Sequence, residues 1–135
     1  MFKVIIDTNI FIAAYFKSTG TCAKVVDLWT ARVFQLVVSD EILDEYEEVL
    51  LRKDISPKLV KDLNTAILQS AVYVIPSKRI RLINDDPEDN KFLECAESTE
   101  VKYIISGDKH LKKLGKYKST RIISPQQFLQ ILAER

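Results

Sequence analysis

Residues 2–9 read FKVIIDTN, an apolar run from Phe2 to Ile6 that is followed directly by an acid, Asp7. A nearly continuous run of apolar residues is typical of a strand in a parallel sheet, because helices cover both faces of such a sheet. An acid directly after the strand lies at the carboxyl end of the sheet, where open α/β folds bind their ligands. This stretch therefore predicts a fold class and a place for a functional site.

The rest of the chain alternates between short apolar runs and helical patterns. Strands are predicted over residues 2–6, 34–38, 72–75, 101–105 and 121–123, and helices over residues 22–31, 40–51, 57–70, 87–98 and 125–134. Alternating strands and helices indicate right-handed crossovers between parallel strands. We therefore expect one three-layer, Rossmann-like α/β domain, with a central parallel β-sheet flanked by helices, over residues 1–135.

The composition is that of a globular protein, since 47% of the 135 residues are hydrophobic and 29% are charged. The net charge of +1 provides no strong overall field, so any surface that binds nucleic acid must be local. The amino terminus has no signal-peptide pattern, and no apolar run is long enough to cross a bilayer. We expect a cytoplasmic protein without a membrane segment.

A second stretch, NDDPEDNKFLECA at residues 84–96, directs a carboxylate toward the apolar side of a helix. Pro87 suits the first helical position, and Asp86 is a good N-cap before it. The apolar residues of this helix recur at the 3.6-residue period, and the same stripe leads back one turn to Asp89. An acid on a buried stripe needs an explanation beyond helix capping.

Asp108 follows the fourth predicted strand in the motif YIISGD, so it lies at the same sheet edge as Asp7. Each acid also has an ordinary interpretation. Asp7 can be a turn residue or an N-cap, Asp108 a turn acid, and Asp89 an acid favoured in the first turn of a helix. Three such acids together are harder to explain in this way.

A fourth acid can come from the helix within SDEILDEYEEVLL, residues 39–51. On a helical projection, Glu45 and Glu47 lie on the two flanks of the apolar arc, whereas Asp44 and Glu48 point toward water. Periodicity does not choose between the two flanks, and the run is also compatible with a solvated acidic face.

Clustered carboxylates need protons or cations, because buried like charges repel each other. No Lys or Arg lies within the strand-end motifs. Oxygen ligands without His or Cys pairs favour Mg²⁺ or Mn²⁺ over Zn²⁺. Such ions suit the hydrolysis of phosphodiester bonds, because they activate water and stabilise the attacking and leaving oxygens.

The order of the motifs resembles the PIN-domain family, and most of all its prokaryotic toxin components of toxin–antitoxin systems. The motifs are DTN after the first strand, S-x-x-I-L-x-E-Y-x-x-V-L, D-P-x-D-N-K-F-L-x-x-A and I-I-S-G-D-x-x-L. The resemblance implies a single PIN-like domain over residues 1–135 and an endoribonuclease that depends on Mg²⁺ or Mn²⁺. It also implies three partners, namely an RNA substrate, a cognate antitoxin and a second copy of the chain in a homodimer.

The resemblance implies an acidic quartet of catalytic residues and metal ligands: Asp7, Glu45, Asp89 and Asp108. Glu45 is thereby selected over Glu47 by its position in the motif. Three polar residues are implied to orient ligands or waters around the quartet: Asn9, Asn90 and Ser106.

Two other functions are compatible with parts of the pattern. A PIN fold can bind RNA or protein without cutting it. A phosphoacceptor domain of the receiver type also combines an α/β fold with clustered acids. The latter is disfavoured because the first strand ends in DTN rather than in adjacent acids, and the last ends in IISP without a lysine.

A basic run, KHLKKLGKYK, follows Asp108. Lys109, Lys112 and Lys113 are candidates for contacts with RNA phosphates, which would make RNA binding salt-dependent. The other interpretation is a solvated helix and loop. A second basic run, at residues 78–81, precedes the NDDPEDN segment and can flank the same cleft or face an antitoxin.

Overall fold

A six-stranded sheet forms the centre of the fold in the computed structural model, which describes residues 1–83 and 87–135. The strands are β1 (Lys3–Ile6), β2 (Gln35–Val38), β3 (Val72–Tyr73), β4 (Tyr103–Ile105), β5 (Lys116–Tyr117) and β6 (Thr120–Ile123). Their order across the sheet is β3-β2-β1-β4-β6-β5, and all neighbours are parallel except the β5–β6 hairpin. The predicted α/β class with a mostly parallel sheet is confirmed.

Helices flank this sheet. They are α1 (Thr8–Phe16), α2 (Thr21–Thr30), α3 (Asp40–Arg52), α4 (Pro57–Ser70), α5 (Asn90–Glu97), α6 (Lys109–Leu114) and α7 (Pro125–Ala133). A 3₁₀ turn at Pro87–Asp89 leads into α5. Among the described helices, none combines the length and the apolar character needed to cross a membrane.

The structure differs from the sequence patterns at three places. α1 is absent from the predicted elements because its sequence, TNIFIAAYF, is apolar on most of its surface and shows no 3.6-residue alternation. The helix predicted from residue 87 begins as the 3₁₀ turn and becomes α-helical only at Asn90. The short strand β5 was not predicted because its sequence contains no apolar run. The N-cap predicted at Asp86 lies outside the described residues.

The chain changes direction across the sheet at β1. From β1 it proceeds outward to β2 and β3 on one side, and it then returns to add β4 and β6 on the other. The carboxyl ends of β1 and β4 therefore form the switch point of the sheet, where connections leave in opposite directions and open a crevice. Asp7 follows one of these strands, and Ser106 follows the other.

Tyr46 ties α3 to this switch point. Its side chain is fully buried, its ring lies 4.9 Å from that of Phe11 between centroids, and its hydroxyl donates a hydrogen bond to the carbonyl oxygen of Ile6. Burial raises the pKa of Tyr46 well above its ordinary value, so the hydroxyl keeps its proton. This contact places the residue before it, Glu45, beside the end of β1.

Replacing Tyr46 by Phe should lower the free energy of unfolding by about 1–2 kcal/mol, because the buried Ile6 carbonyl loses a donor. Urea denaturation measures this change. The control is Tyr73→Phe on the half-exposed edge strand β3, which should change stability by less than about 0.5 kcal/mol. Equal stabilities of the two variants would contradict the anchoring role of Tyr46.

Candidate active site

Asp7 is the buried acid at the switch point, with only 3% of its surface exposed. Its backbone N–H extends the β1–β4 pairing by donating to the carbonyl oxygen of Ile105 over 3.0 Å. The hydroxyl of Ser106 donates to Asp7 Oδ2 over 2.6 Å, and the backbone of Asn9 supplies a further hydrogen bond. Asp7 follows β1 at the N-cap position of α1.

Ser106 links Asp7 to Asp108. The fully buried Ser106 hydroxyl accepts a hydrogen bond of 2.9 Å from the N–H of Asp108 while it donates to Asp7. Asp108 Oδ1 accepts from the N–H groups of His110 and Leu111, at 2.8 and 3.2 Å, so this oxygen caps α6. Asp108, which the sequence suggested as a turn acid, is thus the N-cap of α6, and its other carboxylate oxygen, Oδ2, takes no part in the cap.

Glu45 enters the site from α3 and is held by two side chains. The hydroxyl of Thr8 donates to Glu45 Oε2, and the ammonium of Lys91 lies 2.8 Å from Glu45 Oε1. The Glu45 and Lys91 side chains are 19% and 11% exposed, so this ion pair is largely shielded from water. Lys91 also contacts Glu88 at 3.2 Å.

Lys91 is a charged residue of the candidate site that the sequence patterns missed. The strand-end motifs contain no cation, but α5 brings one to Glu45. Burial lowers the pKa of Lys91, but the hydrogen bond and the charge of Glu45, followed by those of Glu88, outweigh it and raise the pKa above its ordinary value. Lys91 is therefore charged at neutral pH. Its signal in the sequence is its place two residues after Asp89.

Asp89 is buried at the end of the 3₁₀ turn, with 8% of its surface exposed, as the stripe of α5 predicts. The next residue, Asn90, accepts from the N–H of Ile83 at 2.9 Å and donates to the carbonyl oxygens of Ile83 and Pro87, at 3.0 and 3.1 Å. Asn90 thus connects the backbone of Ile83 to that of Pro87. A role for it in orienting ligands stays a prediction.

The charges of two predicted acids, Glu45 and Asp108, act on a third, Asp7. Burial, the largest cause, raises the pKa of Asp7 to about 6, and the charges of Glu45 and Asp108 raise it further against the lowering effect of Ser106 and Asn9. Within residues 1–83 and 87–135, however, no three His, Cys, Asp or Glu side chains are grouped so that they could hold a metal ion. Glu45 is bonded instead to Thr8 and Lys91.

The predicted basic residues fall into two groups. Three lysines of α6 are exposed directly after Asp108: Lys109, Lys112 and Lys113. Their contacts with RNA phosphates stay a prediction. The run at residues 78–81 is engaged by acids. Lys78 lies 3.3 Å from Glu97, and Arg79 lies 2.6 Å from Glu41 and 3.3 Å from Glu94. Some of the charge of this second run is therefore already compensated within the chain.

Replacing Asp7 by Asn should stabilise the metal-free protein at neutral pH. The pKa of Asp7 is raised from 3.8 to about 6, a difference that corresponds to about 3 kcal/mol at most. The fold favours the protonated carboxyl group over the ionised one. The stability that Asp7 contributes in its protonated form is therefore lost as the pH rises through about 6, whereas Asn stays uncharged. Urea denaturation with EDTA should show the gain at neutral pH and little gain below about pH 4. A pH-independent difference would contradict this.

Replacing Lys91 by Met should lower the free energy of unfolding by about 1–3 kcal/mol, because the shielded carboxylate of Glu45 loses its counter-ion. Chemical denaturation at neutral pH without metal is the measurement. The matched control is Glu88→Gln, which removes the partner of Lys91 that is 79% exposed and should change little. If both variants lose the same stability, the Lys91–Glu45 pair is not the important contact.

Comparison with known proteins agrees with the order of the motifs. The family model described as PIN domain matches residues 3–110 of the chain. The chain is also 31% identical to the uncharacterized protein MJ1680 of Methanocaldococcus jannaschii, over 95% of this chain and 90% of that protein. The family match spans β1 to the start of α6 and so includes Asp7, Glu45, Asp89 and Asp108. The chain belongs to the PIN-domain family.

Proposed function

We propose that this protein is a metal-dependent endoribonuclease that hydrolyses RNA phosphodiester bonds at the switch point between β1 and β4. PIN domains are generally nucleases and typically use divalent metals. The observation that carries the proposal is the buried carboxylate of Asp7, whose pKa is raised by burial and by the charges of Glu45 and Asp108. A buried carboxylate with a raised pKa in a crevice is typical of sites that hold cations or transfer protons.

The chemistry of the donors fits a hard divalent cation. Carboxylate oxygens are the preferred protein ligands of Mg²⁺ and Mn²⁺, and a cation relieves the repulsion that raises the pKa of Asp7. We assign the ligand role to the acidic quartet: Asp7, Glu45, Asp89 and Asp108. When bound there, Mg²⁺ or Mn²⁺ supplies an activated water and stabilises the charge on the attacked phosphate.

The chain's own residues prepare this site. Ser106 holds the Asp7 carboxylate and the Asp108 backbone together, and Thr8 holds one oxygen of Glu45. Lys91 neutralises the other oxygen of Glu45 and restrains its position. Asn9, exposed in the first turn of α1, is placed to orient a water or a ribose, and the exposed lysines of α6 are placed to contact the backbone of the RNA.

Cleavage of RNA by the purified protein should require Mg²⁺ or Mn²⁺ and stop with EDTA. Asp7→Asn and Glu45→Gln should each lower the rate by about 100-fold or more, because each removes a ligand. The matched control is Glu47→Gln, an acid on the opposite flank of the apolar arc of α3 whose side chain contacts Asn64 instead. Gel electrophoresis of a labelled RNA measures the rate. If Asp7→Asn cuts as fast as wild type, the site is elsewhere.

A non-catalytic PIN fold that binds RNA or protein is the second candidate. It is favoured by the Lys91–Glu45 pair, since an ammonium group already neutralises one carboxylate oxygen of Glu45 without a metal ion. Calorimetry with Mn²⁺ separates the two candidates. A nuclease should take up Mn²⁺ and lose this uptake in Asp7→Asn, whereas a pure binding module need not take up the ion.

The cellular role that we propose is that of the toxin in a toxin–antitoxin pair, acting on RNA in the cytoplasm as one domain over residues 1–135. The support is the motif order shared with PIN-family toxins. The proposed partners are a cognate antitoxin and a second copy of the chain. Expression of wild type in a bacterial host should arrest growth, and expression of Asp7→Asn should not. A small reading frame immediately upstream of the gene should encode the antitoxin, and its co-expression should restore growth.

A further inference from the structure

A cavity of about 540 Å³ opens beside Asp108, and neither Glu45 nor Lys91 is among the residues that line it. It lies where the connections that follow β1, β4 and β6 meet, so we call it the strand-end cavity. The lining residues that matter are Asn9 and Ile10 of α1, Gly107 and Asp108 after β4, and Pro125 and Gln126 of α7. Its volume is within the range of about 300–1,000 Å³ that is usual for ligand pockets.

The lining combines apolar surface with amide groups. Of the apolar lining residues, Ala13 is exposed, whereas Ile10 and Pro125 are buried; both amide residues, Asn9 and Gln126, are exposed. A planar ring can pack on the apolar part, and an amide can donate to and accept from its edge at the same time. Nucleobases present such paired donors and acceptors, and proteins read them in this way when the base is unpaired.

Gly107 leaves one wall of the strand-end cavity without a side chain. A Cβ atom at this position would meet no atom of the described residues within 4 Å, and the backbone does not have the positive φ that favours glycine. The other two glycines differ. A Cβ at Gly20 would crowd the Lys17 carbonyl oxygen at 3.3 Å, and Gly115 has a φ of 71°. Neither packing nor backbone conformation therefore calls for glycine at position 107, but close approach of a ligand would.

We propose that the strand-end cavity binds one unpaired nucleobase of the RNA, next to the phosphate that is cut. This subsite rests on the proposed nuclease function, because Asp108 belongs both to the acidic quartet and to the rim of the cavity. A side chain of a protein partner could also fill an apolar pocket. RNA is favoured because an occupant here is within reach of the residues assigned to phosphodiester cleavage.

The subsite has a consequence for the choice of substrate. A base can enter the strand-end cavity only when it has left its stack and its partner strand, and this is easiest in single-stranded loops and ends. The enzyme therefore cuts single-stranded RNA in preference to a duplex. Gln126 is placed to contribute to the choice of base beside the cleavage site, because it is exposed at the rim and takes no part in the acidic quartet.

The test compares a short fluorescent single-stranded RNA with an abasic strand of the same length and charge. Binding is measured by fluorescence anisotropy in EDTA, so that no strand is cut. Wild type should bind the normal strand about five- to tenfold more tightly than the abasic strand. Gly107→Leu should remove this difference by weakening binding of the normal strand alone, because it adds a bulky side chain at a residue that lines the cavity. Gly107→Ala, which adds a single carbon, should have a smaller effect.

Each outcome decides the proposal. Equal binding of both strands by wild type, or equal weakening of both by Gly107→Leu, overturns the nucleobase subsite. Two controls show whether the fold and the acidic quartet are intact in Gly107→Leu: its unfolding midpoint and its Mn²⁺ uptake should both match wild type. If either differs, the same two strands are compared with Gln126→Ala, a variant of another lining residue.

The subsite and the nuclease function fail separately. Base-dependent binding without cleavage in Mg²⁺ or Mn²⁺ refutes the nuclease but retains the subsite. Cleavage with binding that does not depend on the base refutes the subsite but retains the nuclease.

Discussion

The parallel pairing of β1 with β4 is the contact on which the candidate site depends. Ile6 is in register with Ile105, and the N–H of Asp7 continues the pairing by bonding to the Ile105 carbonyl oxygen. Two residues that are 99 positions apart in the chain, Asp7 and Ser106, are thereby placed in direct hydrogen-bond contact. Because the chain reverses its direction across the sheet at this pair of strands, the connections diverge and leave a crevice. A shift of register by one residue would move Asp7 away from Ser106 and turn its side chain to the other face.

Charge within this crevice is balanced by residues from several elements. Burial opposes the ionisation of Asp7, and the nearby acids add to that effect. The hydroxyl groups of Ser106 and Thr8 and the ammonium of Lys91 act in the other direction by stabilising the carboxylates. The ionised carboxylate of Asp7 is therefore unfavourable for the fold at neutral pH, which is typical of groups that are kept for function rather than for stability. A divalent cation would relieve the repulsion, and an RNA phosphate would then bring back negative charge.

Helix α5 contributes residues both to the hydrophobic core and to the candidate site. Phe92 and Leu93 of α5 are fully buried in the core, while Lys91 between Asn90 and Phe92 extends to Glu45 on α3. Asn90 binds the backbone before the helix, which positions the 3₁₀ turn that carries Asp89. A residue pattern read along α5 alone therefore mixes side chains that pack, side chains that hold backbone and side chains that face the crevice. Tertiary contacts separate these tasks.

The sequence by itself determined the α/β class, the positions of the main strands and the acids that follow them, because apolar runs and helical periodicity are local properties of the chain. It did not predict α1, whose surface is apolar in most directions, nor the Lys91–Glu45 pair. Helical projection left Glu45 and Glu47 equivalent on α3, and the fold distinguishes them, since Tyr46 anchors the helix to Ile6 and turns Glu45 toward Thr8 while Glu47 contacts Asn64. Only the tertiary structure decided which charges meet, because the partners come from elements that are distant in the sequence, and their distances follow from strand register and helix packing.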